Sequence, residues 1–168
     1  TKTKTGELND FYFEYAPPAA LSDTALVLYH VNDVHSGSNN LSQPYTGKNV
    51  IIGIVDQGLD WNHPDFKDSL GKTRVLRYWD HSLNTGGVIP QPYNYGIVWT
   101  KDQIDNGICL STENTTAHGT TVTGMAASNG NANGTHLGMA PESNLIIVET
   151  DFNLANWTLT IADACDYI

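Results

Sequence analysis

Ile51-Ile52-Gly53-Ile54-Val55-Asp56-Gln57-Gly58-Leu59-Asp60 is an apolar run that ends in a carboxylate and a glycine turn. Branched side chains suit a pleated backbone, and a run without alternation predicts a strand over residues 50–55 buried on both faces of a parallel sheet. Residues 144–150, centred on Leu145-Ile146-Ile147-Val148, have the same character and predict a neighbouring parallel strand. Between the two, His118-Gly119-Thr120-Thr121-Val122-Thr123-Gly124-Met125 opens a helix reaching Ser128, with Gly124, Ala126 and Ala127 small enough for close packing. A last helix is expected over residues 157–168, where Ile161, Ala164, Cys165 and Ile168 recur at helical spacing. The βαβα order predicts an α/β fold with a mainly parallel, doubly wound sheet. Ligands of such sheets sit outside the carboxyl ends of the strands, which is where Asp56 stands.

Asp56 and His118 are the candidate catalytic residues. A carboxylate at a strand end can orient an imidazole and stabilise its protonated form, while the imidazole takes the proton of a hydroxyl nucleophile. Taken singly, Asp56 is an Asp-x-Gly turn and His118 is one of six histidines. The motifs around them change the balance: Val55-Asp56-Gln57-Gly58-Leu59, His63-Pro64-Asp65-Phe66, His118-Gly119-Thr120-Thr121-Val122-Thr123-Gly124 and Gly138-Met139-Ala140-Pro141-Glu142 follow one another in that order.

Together they resemble the N-terminal half of the catalytic domain of a subtilisin-like serine protease, from about Thr46 onward. The resemblance implies a three-layer subtilisin-like fold, truncated to its N-terminal half. It also implies a triad in the chain order Asp, His, Ser, unlike that of chymotrypsin or the α/β-hydrolases, and protein or peptide substrates. The family's serine, in a Gly-Thr-Ser context, and its oxyanion asparagine lie downstream of the Gly-x-Ala-Pro motif and are absent from these 168 residues. The expectation is therefore a fragment, inactive alone, of a secreted or cell-surface bacterial endopeptidase, with residues 1–45 as an arm leading into a domain over 46–168. The rival is a subtilase-like pseudoenzyme or protein-binding module. Two departures from the family pattern stand beside the site, Gln57 for a small hydroxyl residue and Thr121 for a frequent histidine.

Composition bounds the remaining classes. Eight Lys plus Arg against 18 Asp plus Glu give a formal charge of −10, which disfavours a nucleic-acid partner needing a basic face. No apolar run is long enough to span a membrane. Cys109 and Cys165 lack metal spacing, and Cys165, on the apolar face of the last helix, reads as a small buried hydrophobe. His63 and Asp65 read as a structural turn beneath the site. The loop 129–134 is Asn-rich but has no carboxylate at alternate positions, so it reads as a polar turn; no cofactor is expected and a structural calcium stays open. A sheet cut in half exposes an edge and apolar faces, through which self-association is open.

The interval between Asp56 and His118 spans 62 positions and resembles the insertions of bacterial cell-surface subtilases. It is expected to hold a strand over 74–80 and a short helix with a Thr100/Gln103 capping box.

Overall fold

A computed structural model describes residues 24–111, 113 and 116–168. The expected strand-like aromatic cluster at residues 11–15 lies outside them. The described elements run α1 (Val31–Ser36), β1 (Ile51–Asp56), a 3-10 turn (Pro64–Phe66), β2 (Val75–Asp80), β3 (Ile97–Thr100), α2 (Lys101–Asp105), α3 (His118–Ala127), β4 (Asn144–Glu149) and α4 (Trp157–Tyr167). The four strands form one sheet in the order β1-β4-β2-β3. β1, β4 and β2 are parallel and β3 closes one side antiparallel to β2. This is the mainly parallel α/β sheet expected, with β1 and β4 as neighbours.

Side-chain alternation gives the sheet two packed faces. Tyr78, Ile97, Trp99, Leu145 and Ile147 point to one face, where they join Leu59, Phe66, Ile104, Cys109 and Ala127 of α3 in the larger core. Trp79, Val98 and Val148 point to the other and pack with Ala164 of α4, rimmed by Tyr93, Tyr95 and Tyr167. Helices therefore cover opposite faces, and the fold is three-layered.

One strand departs from the expectation of burial on both faces. β1 is an edge strand among the described residues, and Ile51 is 51% exposed. An unalternating β-branched run reports that neither side of the strand is polar; it does not report how many layers cover it. The last helix also turns differently from its apolar spacing. Thr160 and Ala164 are its buried residues and Cys165 is exposed, whereas Cys109 is the buried thiol. Trp79 and Val148 select the line through Thr160, Ala164 and Tyr167, one position back from the apolar one.

Arg74, at the entry to β2, joins the layers beneath the sheet. Its guanidinium donates to the carbonyls of Ser143 (2.6 Å), Asp65 (2.7 Å) and Ala127. The planar fork of donors suits three converging carbonyls. It links the start of β4, the 3-10 turn and the end of α3.

Candidate active site

β1 delivers Asp56 to the carboxyl end of the sheet, and α3 begins with His118 above it. Alternation puts Asp56 on the α3 side with Ile52 and Ile54. His118 Nδ1 lies 2.8 Å from Asp56 Oδ1. The same oxygen accepts the backbone N–H of Gln57 at 2.7 Å, so the carboxylate is fixed before the imidazole meets it. A carboxylate only accepts, so Nδ1 carries a proton, and in the neutral ring Nε2 then keeps its lone pair. The Asp56 side chain is 10% exposed and that of His118 is 64% exposed. The pair has a buried anchor and an open imidazole face.

Three contacts hold this geometry. Gly119 comes first: a Cβ there would lie 1.9 Å from the Gly58 carbonyl oxygen. Glycine next to the histidine is thus required by packing of α3 on the loop after Asp56. Second, Ala117 at the helix N-cap has a left-handed φ of 53° and no capping side chain, and Glu113 supplies the cap from upstream. Its Oε1 accepts Thr120 N–H at 2.8 Å and its Oε2 accepts the Thr120 hydroxyl at 2.5 Å. That hydroxyl oxygen also accepts Asp60 N–H at 2.8 Å, so one cap joins the His118 helix to the Asp56 loop. Third, Leu59 N–H donates to the Tyr78 hydroxyl at 3.0 Å, which donates to Glu149 Oε2 at 2.7 Å.

Strand register aligns three carboxylates across the rim, because Asp56 pairs with Glu149 and Glu149 with Asp80. Burial, then the negative charges of Asp80 and Glu113, push the Glu149 carboxyl up to about 8 against the opposing hydrogen bond from Tyr78. Asp80 is satisfied separately by the Ser82 and Ser111 hydroxyls. Burial pushes the Cys109 thiol up to about 11, leaving it almost wholly protonated near neutrality and a poor nucleophile.

Gln57 turns its amide oxygen to the Thr116 hydroxyl at 3.3 Å, so its backbone N–H, not its side chain, is the Asp56 partner. His63 and Asp65 form a turn as expected, but not beneath the site. Asp65 accepts the Ser128 hydroxyl at 2.8 Å and Ala132 N–H at 2.7 Å, which places it at the far end of α3. Its carboxylate thereby closes the loop 129–134. Among the described residues no three His, Cys, Asp or Glu side chains converge on a metal position.

Glu113, Tyr78 and Glu149 carry no motif in the sequence. Glu113 precedes the helix it caps by several residues, outside the spacing of a capping box, and only pairing of β2 with β4 brings Tyr78 to Glu149. The acid at the end of a buried β-branched run was the available signal for Glu149, the same one that marks Asp56.

Residues 47–168 match the Peptidase_S8 family profile, described as the subtilase family. The minor extracellular protease Vpr of Bacillus subtilis (strain 168) is 31% identical over 102 residues, covering 61% of this chain and 10% of that protein. The solved structure of the Clostridium perfringens CspB protease has a TM-score of 0.62 and 26% identity, over 82% of this chain and 28% of that one. The chain thus spans well under half the length of either relative.

Proposed function

The chain belongs to the subtilase family, and from that premise we propose that it forms the Asp- and His-bearing part of a secreted serine endopeptidase. The observation that carries the reading is the 2.8 Å contact between Asp56 and His118 across 62 positions of sequence. Asp56 orients the imidazole through Nδ1–H and stabilises its protonated form. His118 Nε2 takes the proton of a serine hydroxyl as that oxygen attacks the peptide carbonyl, and returns it to the leaving amine. The serine and the donors to the developing oxyanion lie, in this reading, outside these 168 residues. Residues 46–168 would be part of the catalytic domain, with residues 1–45 as its arm. The extracellular relative and the acidic composition support secretion.

The test is a chain extended along its gene through a Gly-Thr-Ser segment, assayed on casein with and without a fluorophosphonate. Inhibitor-sensitive cleavage is expected. Asp56→Asn and His118→Ala should each lower kcat by roughly 10⁴, and the 168 residues alone should cleave nothing. A gene without the serine, or an extended chain whose activity ignores both substitutions, overturns the reading.

A further inference from the structure

Beyond the rim from Asp56, between the end of β2 and the first turns of α4, lies a cavity of ≈ 370 Å³ walled by His81, Tyr93, Tyr95, Leu159, Thr160 and Asp163. None of these residues takes part in the Asp56–His118 contact network. His81 follows Trp79 by two positions and so shares its face. Its ring meets Trp79 edge-on at 4.1 Å and Tyr95 at 5.0 Å between centroids. Both ring nitrogens of His81 are buried and have no hydrogen-bond partner among the described residues. Polar atoms in that condition are costly unless something else satisfies them.

The other wall is negative. The Tyr95 hydroxyl donates to Asp163 at 2.8 Å and the Tyr93 hydroxyl to Asp166 at 2.7 Å. Burial first and then its bond to Asp163 keep the Tyr95 phenol protonated, and Tyr93 is pushed up to about 12, first by its bond to Asp166. Neither carboxylate has a cationic partner within ion-pair distance among the described residues. Burial holds His81 down at about 4, so near neutrality it is uncharged and one ring nitrogen is an acceptor. Aromatic faces, an uncharged acceptor and the Asp163 carboxylate in the wall, with exposed Asp166 outside it, are complementary to an organic cation, which the ring quadrupoles attract as well. A formal charge of −10 on the chain adds a long-range pull in the same direction.

We propose that this cavity binds the side chain of an arginine or lysine residue of a peptide. Its place gives the binding a use that rests on the protease reading above. Asp80, one residue before His81, is level with Glu149 and through it with Asp56. Two strand spacings, about 10 Å, separate the lines of Asp56 and His81 along the rim. Because Asp56 lies on the α3 side of the sheet and His81 on the α4 side, a peptide that reaches both crosses over the strand ends and needs more than about three extended residues. A basic residue more than about three positions from the scissile bond would then be a determinant of cleavage.

The binding test needs no catalysis. Nα-acetyl-arginine amide is titrated into the 168-residue chain and the ring resonances of His81, Tyr93 and Tyr95 are followed by NMR, with the neutral isostere Nα-acetyl-citrulline amide in parallel. Saturable millimolar binding of the arginine compound is expected, at least tenfold tighter than citrulline and weakened by added salt. Asp163→Asn, which keeps shape and removes charge, should weaken it at least fivefold, and Tyr95→Leu should do the same by removing a ring face. Equal binding of citrulline, indifference to Asp163→Asn, or no shift of these rings at tens of millimolar ligand overturns the proposal. In the extended chain, Asp163→Asn should raise KM for a peptide bearing arginine more than about three residues from the cut, and leave its alanine counterpart unchanged. If arginine binds but no extended chain cleaves, the protease reading fails and the pocket stands. If cleavage occurs with no preference for the basic peptide, the reverse holds.

Discussion

The Glu149 carboxyl sits far from what its type prefers, because it is packed under Gly58 with the Tyr78 hydroxyl as its compensating side-chain donor among the described residues. Its raised value sets the sign of a pH effect. Below the ordinary glutamate range both folded and unfolded chains hold the proton. From there to about 8 the unfolded chain ionises first, so stability falls as pH rises and levels off above 8. Denaturant titrations at a series of pH values should show a loss of about 3 kcal/mol across this window, the part-exposure of the group discounted. Glu149→Gln should remove that slope, and a slope unchanged by the substitution would place the buried proton elsewhere. Tyr78→Phe tests the same shelf from the other side. It strands Leu59 N–H and should cost about 1–3 kcal/mol. Gly119→Ala is a steric counterpart: the Gly58 carbonyl is backbone and yields little, so a loss of about 3 kcal/mol and a broken Asp56–His118 contact are expected.

At the scale of elements, α3 is held at both ends by segments distant in sequence. Glu113 caps its start, while Gly138, Met139 and Ala140 donate their N–H groups to the carbonyls of Ser128, Met125 and Ala126 at its end. A Cβ at Gly138 would lie 2.4 Å from Ala127 N, whereas at Gly124 it would meet nothing. At the end of α3 the small residue that permits close packing is therefore Gly138 of the Gly-x-Ala-Pro segment and not Gly124 of the helix, whereas at its start it is Gly119. Glu113→Ala should cost about 1 kcal/mol and speed hydrogen exchange at Thr120 and Asp60 while leaving β2 and β3 protected. Uniform exchange across the molecule would mean that the cap holds nothing locally. β1, β2, β4, the Thr100/Gln103 capping box and α3 were legible because each rests on local pattern, and so was the approach of His118 to Asp56 once the motifs were in order, whereas the four-residue β3 was not expected. The Glu113 clamp, the Tyr78–Glu149 shelf and the face chosen by α4 were not. Each depends on which distant side chains the sheet brings alongside, and no spacing along the chain encodes that.

The whole molecule sets an apolar edge against a strong like charge. β1 has β4 on one side only among the described residues, and Val50 and Ile51 are each 51% exposed there. Such an edge offers unpaired backbone groups and apolar side chains to a second copy. A formal charge of −10 per chain keeps copies apart at low ionic strength. Salt screens that repulsion once the Debye length falls to about 3 Å near 1 M, and it leaves burial of the apolar edge undiminished. Association should therefore strengthen as salt is added, opposite to an interface built on ion pairs. Sedimentation velocity at low and at about 0.5 M salt should show monomer giving way to larger species. Ile51→Lys, which puts a charge on the edge, should restore the monomer at high salt without lowering stability by more than about 1 kcal/mol, because the side chain is half in water already. Association that weakens with salt, or that survives Ile51→Lys, would assign the contact to another surface.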